Sequence, residues 1–302
     1  MKKLAAISLI SILLFMLAAC GNSGGDQAKS GKIVVTGKEF TEQLIMTHIL
    51  AEYLKANTDL DVEVKGALGG VFVIHEAMKQ GEVDLYVEYT GTGYLNVLNE
   101  EYVPGMSPDQ IYDETKKGYE DEFNITWLDS LGFNNTYALA VRKELAEELG
   151  IKTFSDLAEH ASELSFGADP EFFERDDGYD AFVEEYGTDF AKQVNIDSDL
   201  MYEPARDGEI DVIAGTSTDP RIKQYDLTIL EDDKNFFPPY YAAPVIRQAV
   251  LDANPGLEDT LNELSDVLDD ERMQELNVQV NLENKEPEDV ALEFLEEEGL
   301  ID

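Results

Sequence analysis

Two segments of this 302-residue chain are near copies of one another: QGEVDLYVEYTGT, from Gln80 to Thr92, and DGEIDVIAGTSTD, from Asp207 to Asp219. Aligned on Gly81-Glu82 and Gly208-Glu209, both run Gly-Glu, a β-branched residue and Asp, then an apolar stretch that ends in small polar residues. A short apolar run bounded by glycine and turn formers reads as a β-strand. A chain that builds this strand once in each half is constrained toward two similar α/β units. The copies differ at one telling position, where the first has Tyr89 and the second Thr216.

The surroundings of each copy support that reading. KIVVTG, from Lys32, is a short β-branched strand, and Thr41 is the expected N-cap of a helix whose Leu44, Ile45, Ile49 and Leu50 fall on helical spacing. DVEVKGALGG alternates as a strand and ends at its glycines, and VFVIHEAMKQG reads as a helix stopped by Gly81. Strand-helix-strand-helix-strand at these lengths implies parallel pairing through crossover helices, hence an α/β sheet. TYALAVRKELAEELG, EIDVIAG and LTILEDD repeat the alternation, and from Val245 onward the pattern is helical, broken at Asn254-Pro255-Gly256. In open α/β sheets ligands bind outside the carboxyl ends of the strands. Residues Tyr89 to Thr92 and Thr216 to Thr218 are therefore expected to face one another across a crevice.

The N-terminus is a different kind of sequence. MKKLAAISLISILLFMLAAC has two lysines, then an uncharged apolar run from Leu4 to Ala19, which is the layout of a secretory signal and short for a membrane span. Leu17-Ala18-Ala19-Cys20 resembles a bacterial lipobox, with Cys20 as the lipidated residue. Residues 1–20 are thus expected to be a leader and the Gly/Ser/Asn-rich residues 21–30 a flexible tether, with the folded body held at the outer face of a membrane. Cys20 is the only cysteine, so no intramolecular disulfide forms. With 64 acidic against 22 basic residues, a net charge of −42, the surface repels nucleic acid and offers no basic patch for anionic lipid heads.

Signals for catalysis or for a metal are lacking. His48, His75 and His160 lie far apart without ligand spacing, no cysteine stands near a histidine, and AGTSTD is not a Gly-x-Ser-x-Gly elbow. ALGGVFVI has no Gly-Lys-Ser/Thr, and GTGYLN stops short of Gly-x-Gly-x-x-Gly. Tyrosines are more informative: Tyr89, Tyr137 and Tyr240 sit at strand ends or in loops rather than on helix faces. One such ring is usually a packed residue with a wet hydroxyl. Several around one small space attract a weakly hydrated cation such as trimethylammonium. Arg175, in a carboxylate-rich loop, reads by itself as a surface ion pair.

TGKEFTEQ (from Thr36), EYTGT (from Glu88), GFNNTYAL (from Gly132), ADPEFFERDDGY (from Ala168), STD (from Ser217) and LEDDKNFFPPYYAAP (from Leu230) closely resemble the substrate-binding lipoproteins of osmoprotectant ABC importers, which take up glycine betaine, carnitine, choline and related compounds. The resemblance covers the mature chain in order. It implies a two-lobed, type II periplasmic-binding-protein-like α/β fold, with lobe 1 over residues 31–134 and 240–302, lobe 2 over 135–239, and hinges near Asn134-Asn135 and Pro238-Pro239. It further implies a ligand box walled by Tyr89, Tyr137 and Tyr240, polar positions at Thr92 and Asn135, and Lys38 and Arg175 as holders of a ligand carboxylate. No cofactor and no reaction are implied. The expected partners are a quaternary-ammonium zwitterion and a permease driven by a separate ATPase, with the receptor itself a monomer.

Many relatives end the second echoed strand in tyrosine, where this chain has Thr216. Loss of one cation–π face costs about 0.5–2 kcal/mol, and the vacated space suits carnitine or a bulkier betaine such as ergothioneine. Neutral Thr92, rather than Asp, favours zwitterions over choline. A binder of amino acids or polyamines and a surface lipoprotein enzyme are the rival readings. Tyr89→Ala is expected to abolish tight binding while sparing the melting temperature.

Overall fold

A computed structural model describes residues 31–302. The expected leader, the lipidation position Cys20 and the tether 21–30 lie outside the described residues. Strands β1 (Lys32–Val35), β2 (Asp61–Val64), β3 (Leu85–Tyr89) and β4 (Ile125–Trp127) come first, then β5 (Tyr137–Arg142), β6 (Ser165–Ala168), β7 (Lys192–Asn195), β8 (Val212–Thr216) and β9 (Leu227–Ile229), and last β10 (Ala242–Arg247). They form two five-stranded sheets, ordered β2-β1-β3-β10-β4 and β7-β6-β8-β5-β9. Each sheet carries one lobe, and the fold is two-lobed α/β as expected.

The echoed strands β3 and β8 hold the same place, in the middle of their sheets. β3 pairs parallel with β1 and antiparallel with β10; β8 pairs parallel with β6 and antiparallel with β5. The expectation of wholly parallel pairing is corrected by β10 and β5, which return antiparallel after the chain has changed lobes. Helicity from Val245 is corrected too. Val245 and Ile246 are buried in β10, and the helix begins only at Gln248. A short apolar run does not tell a buried strand from a buried helix.

Helix α1 (Thr41–Asn57) covers the first sheet with Ile45, Ile49, Leu50 and Leu54, each of which is essentially unexposed. Burying side chains of that size contributes roughly 1.5–3 kcal/mol apiece. Its N-cap is Phe40 without a side-chain bond, so Thr41 is not the cap; Thr41 is the first helical residue, and its hydroxyl donates to Asn281 Oδ1 at 2.6 Å. Helix α2 (Val71–Lys79) ends at Gln80 with Gly81 in the left-handed region, as the sequence suggests. Near the C-terminus, α3 (Asp270–Asn281) and α4 (Pro287–Glu297) complete the first lobe, Val290 and Phe294 of α4 being buried. No helix among the described residues is long and apolar enough to cross a membrane.

The two crossings between lobes run side by side. Asn134 and Tyr241 form an isolated antiparallel bridge, Asn135 N–H donates to the Tyr240 carbonyl at 3.0 Å, and Tyr240 N–H donates to Asn134 Oδ1 at 2.7 Å. The crossings thus brace one another at the floor of the space between the sheets.

Candidate functional site

A cavity of about 440 Å³ opens where the ends of β3 and β8 approach each other. All eight residues singled out from sequence, Lys38, Tyr89, Thr92, Asn135, Tyr137, Arg175, Thr216 and Tyr240, line it. Tyr89 and Thr216 are the last residues of the echoed strands, and Tyr137 begins β5 directly opposite Thr216 in the ladder. Lys38 follows β1, Arg175 follows the short helix Pro170–Glu174, and Asn135 and Tyr240 belong to the crossings. Thr92 lies in the helical turn after β3, where Gly91 admits the Tyr240 ring: a Cβ there would stand 2.7 Å from a ring carbon.

The rings are packed before any ligand is considered. Tyr137 meets Phe172 at 4.8 Å, Phe237 at 5.4 Å and Tyr240 at 5.8 Å between centroids. Tyr89 is only 4% exposed and belongs to the main hydrophobic cluster. Its removal therefore leaves a core cavity, a loss of about 3–5 kcal/mol for a large aromatic truncated to alanine. That corrects the expectation that Tyr89→Ala spares the melting temperature.

Both cations expected to face a ligand carboxylate already have partners. Lys38 Nζ donates to Glu88 Oε1 at 2.6 Å, in a pair that is wholly buried, and lies 5.1 Å from the Tyr89 ring centre. Arg175 holds Asp177 in a two-pronged pair, Nε and Nη2 each at 2.7 Å, and Nη2 also reaches Thr92 Oγ1 at 3.1 Å. Its guanidinium stands 5.3 Å from the centre of Tyr137 and 6.0 Å from that of Tyr240. Burial alone would lower the pKa of Arg175 and raise that of Asp177; their mutual attraction outweighs burial in both, so Arg175 is pushed up and Asp177 down. Nη1, 3.4 Å from Glu171, is the least committed nitrogen of the arginine.

Three features had no signal of their own in sequence. Glu42, in the first turn of α1, lines the cavity and is 2% exposed. Its Oε1 accepts from Tyr89 OH and Asn135 Nδ2, both at 2.7 Å, and its Oε2 from Thr218 Oγ1 at 2.6 Å and Asn277 Nδ2 at 3.3 Å. Burial raises its pKa, and these four bonds oppose the rise. Asp177, besides holding Arg175, accepts from Tyr240 OH and from Asn96 Nδ2. Tyr202 stands beside Thr216, its hydroxyl 2.7 Å from where a Cβ on Gly215 would be, and its ring is covered by Arg221 at 4.3 Å. An aromatic thus borders the cavity next to Thr216, supplied by the helix Tyr202–Asp207.

Hydrogen bonds cross between the lobes on both sides of the cavity. On one side Glu42 and Asn277 meet Thr218, and Gln274 Nε2 donates to the Ser217 carbonyl at 3.1 Å. On the other, Arg175 reaches Thr92, and Asn96 bonds Asp177 and the Asp176 N–H. These bonds tie the two halves together on either side of the cavity. Of the three histidines, none lines it.

The profile of the family described as the substrate binding domain of ABC-type glycine betaine transport systems matches residues 31–297. The chain belongs to that family. A carnitine transport binding protein of Listeria monocytogenes is 37% identical over 302 residues, an alignment covering 98% of this chain and 97% of the relative. The ergothioneine transport permease/ergothioneine binding protein of Helicobacter pylori is 40% identical over 268 residues, covering 89% of this chain and 48% of the relative. Among solved structures, one of a glycine betaine/carnitine/choline ABC transporter superposes with a TM-score of 0.71 at 35% identity, covering 89% of this chain and all of the other. As a member of a family of transport substrate-binding proteins, the chain is not an enzyme. The cavity between the lobes is accordingly the place to look for a transported solute.

Proposed function

We propose that this protein captures a quaternary-ammonium zwitterion of the glycine betaine and carnitine type in the cavity between its lobes and delivers it to a membrane permease driven by a separate ATPase. The observation that carries the reading is the convergence of Tyr89, Tyr137 and Tyr240 with Lys38 and Arg175 on one cavity of about 440 Å³. Pockets for small molecules commonly measure roughly 300–1,000 Å³. Tyrosine faces attract a methylated cation, which has no N–H to donate, and Lys38 and Arg175 keep N–H capacity beyond their bonds to Glu88 and Asp177 that suits a carboxylate. Thr92 and Asn135 contribute polar edges.

In this reading lobe 1 comprises residues 31–134 and 240–302 and lobe 2 residues 135–239. They open about Asn134-Asn135 and Pro238-Pro239, and ligand favours closure to the extent that it touches both lobes. Cys20 anchors the body, as a monomer, to the outer face of the membrane.

Thr216 supports a second reading within the same site, a bulkier betaine such as ergothioneine, and the 40% identical relative named for ergothioneine adds weight to it. Choline, lacking a carboxylate, fits the two cations less well. The test is a thermal-shift panel on residues 21–302 with glycine betaine, proline betaine, carnitine, choline and ergothioneine, against proline and glycine. A ligand at a hundred times its dissociation constant adds about 2.7 kcal/mol to stability. A shift with a trimethylated compound and none with the controls supports the class and names the solute. Silence across the panel rejects it.

A further inference from the structure

Four acidic side chains are buried among the described residues: Glu42, Asp84, Glu88 and Asp177. Three have a cation in contact, Asp84 with Arg247 at 3.0 Å, Glu88 with Lys38 at 2.6 Å and Asp177 with Arg175 at 2.7 Å. Glu42 differs. Its four bonded partners, Tyr89, Asn135, Thr218 and Asn277, are all neutral. Lys38, the nearest cation in sequence, is spent on Glu88. Arg221, across the cavity wall, is held by Asp219 and Asp199. A carboxylate withdrawn from water without an opposite charge is costly. Glu42 keeps that arrangement on the wall of the cavity, beside the Tyr89 ring.

We propose that Glu42 is the counter-charge for the ligand's ammonium group, and that it selects quaternary ammonium over amines bearing N–H. The selection follows from hydrogen-bond accounting. Each Glu42 oxygen already accepts two hydrogen bonds from the protein. An amine with N–H needs acceptors at its binding place and finds these occupied, so its donors are left unmet at a cost. A trimethylammonium group has no donor and needs only an opposite charge and a polarisable surface. The saturated carboxylate supplies the first and the tyrosine the second. The bond from Tyr89 OH to Glu42 also draws the phenol toward phenolate character, since hydrogen-bonded groups polarise one another, and so makes its face more attractive to a cation. The overall acidity of the chain does not replace this, because exposed charges act on any cation and are screened over about 8 Å at physiological salt.

This inference rests on the quaternary-ammonium reading, and the experiment separates the two. Isothermal titration compares glycine betaine with its uncharged-carbon isostere 3,3-dimethylbutanoate, and carnitine with 3-hydroxy-5,5-dimethylhexanoate, on the wild type, Glu42→Gln and Glu42→Asp. The melting temperature of each unliganded variant is recorded alongside. Glu42→Gln is expected to weaken the cationic member of each pair tenfold or more and the isostere less than threefold. Glu42→Asp, which keeps the charge, should retain most of the preference for the cation and keeps the question open to measurement should the Gln variant not fold. Equal losses for cation and isostere would make Glu42 a clasp between the lobes and overturn the proposal, as would unchanged cation binding. If the wild type binds neither cation, nor ergothioneine, the ligand class itself fails.

Discussion

The two lobes present an aromatic ring to the cavity from the same ladder position by opposite means. In the first, the middle strand β3 ends in Tyr89 and its antiparallel neighbour β10 sets Ala242 opposite. In the second, the middle strand β8 ends in Thr216 and its antiparallel neighbour β5 sets Tyr137 opposite. Directly opposed residues on one sheet face stand about 4.5–5.5 Å apart at Cβ, so moving a ring from one strand to the other keeps it at the cavity. The difference lies in what anchors it. Tyr89 is tied by its hydroxyl to a buried carboxylate, whereas Tyr137 is wedged edge-on against Phe172 and Tyr240 and tilted against Phe237. One ring is placed by a polar bond and the other by packing. Thr216 therefore leaves Tyr137 as the ring that the second lobe presents from this ladder position.

The most damaging break falls on Arg175, one of the residues that reach between the lobes. Arg175→Ala leaves Asp177 buried without its cation and removes the reach to Thr92. Removing one partner of a buried pair costs about 3–5 kcal/mol, so a large fall in melting temperature is expected together with loss of ligand-induced closure. A variant that melts like the wild type would mean that Asp177 has found water or another donor. The difference in anchoring is tested next by Tyr89→Phe and Tyr137→Phe, with chemical denaturation as the readout. The first forfeits a bond to a charged acceptor, about 1.5–3 kcal/mol; the second, held by rings, should change stability by less than about 0.5 kcal/mol. Equal losses in the pair would erase the distinction drawn between the two rings.

Much of this arrangement was legible in the residues, and the unread parts have physical reasons. The repeat of Gly-Glu-β-branched-Asp marked β3 and β8 because both are buried on two faces and so are largely apolar, with Glu88 in β3 the charged exception. β10 was not legible. Its Ala-Ala-Pro-Val-Ile run is short, and Pro244 argues against a central strand. The proline is tolerated because it comes just before β10 begins to pair with β4 at Val245, with its carbonyl accepting from Leu128 N–H at 2.9 Å. The tyrosines stood out by their place at strand ends and in loops, and Lys38 and Arg175 through the family resemblance of the motifs that hold them. Glu42 lies in one of those motifs and was still missed. It is one of 64 acids, and what distinguishes it is four donors from four separate segments, which no local pattern records. For Arg175 an ion pair with its own loop was legible but its burial was not, the pair with Asp177 being unexposed rather than at the surface; the Glu88 partner of Lys38 was not legible at all.

Restoring a ring to β8 sharpens the comparison further. Thr216→Tyr would place a phenol where Tyr202 and Arg221 already stack, opposite Tyr137. A fourth face is worth about 0.5–2 kcal/mol to a small methylated cation. Glycine betaine affinity should rise from a few-fold to about thirtyfold, while a bulkier betaine loses affinity for want of room. Titration of both ligands against both proteins reads this as a crossing of preferences. Parallel changes would mean that Thr216 does not set the size of the cavity.

The smallest expected effect distinguishes the lobes by their response to acid. In the first lobe His75, on α2, packs edge-on against Phe123 at 4.5 Å and Tyr119 at 5.6 Å, and its buried Nδ1 has no hydrogen-bond partner. Burial, with a smaller push from Lys79, lowers its pKa to about 4 from 6.5. The folded state therefore prefers the neutral ring, while the unfolded chain takes up a proton near the ordinary value. The associated stability is fully present above pH 6.5 and is lost as pH falls from there toward 4. Hydrogen exchange at pH 5 against pH 7, corrected for intrinsic rates, should show protection falling first in β3, β4 and β10, ahead of β5 and β8. His75→Phe removes the titrating group yet keeps a ring for the Tyr119–Phe123 contact, and should flatten that difference. If β5 and β8 loosen first in the wild type, acid lability is governed by the carboxylates of the second lobe rather than by this histidine.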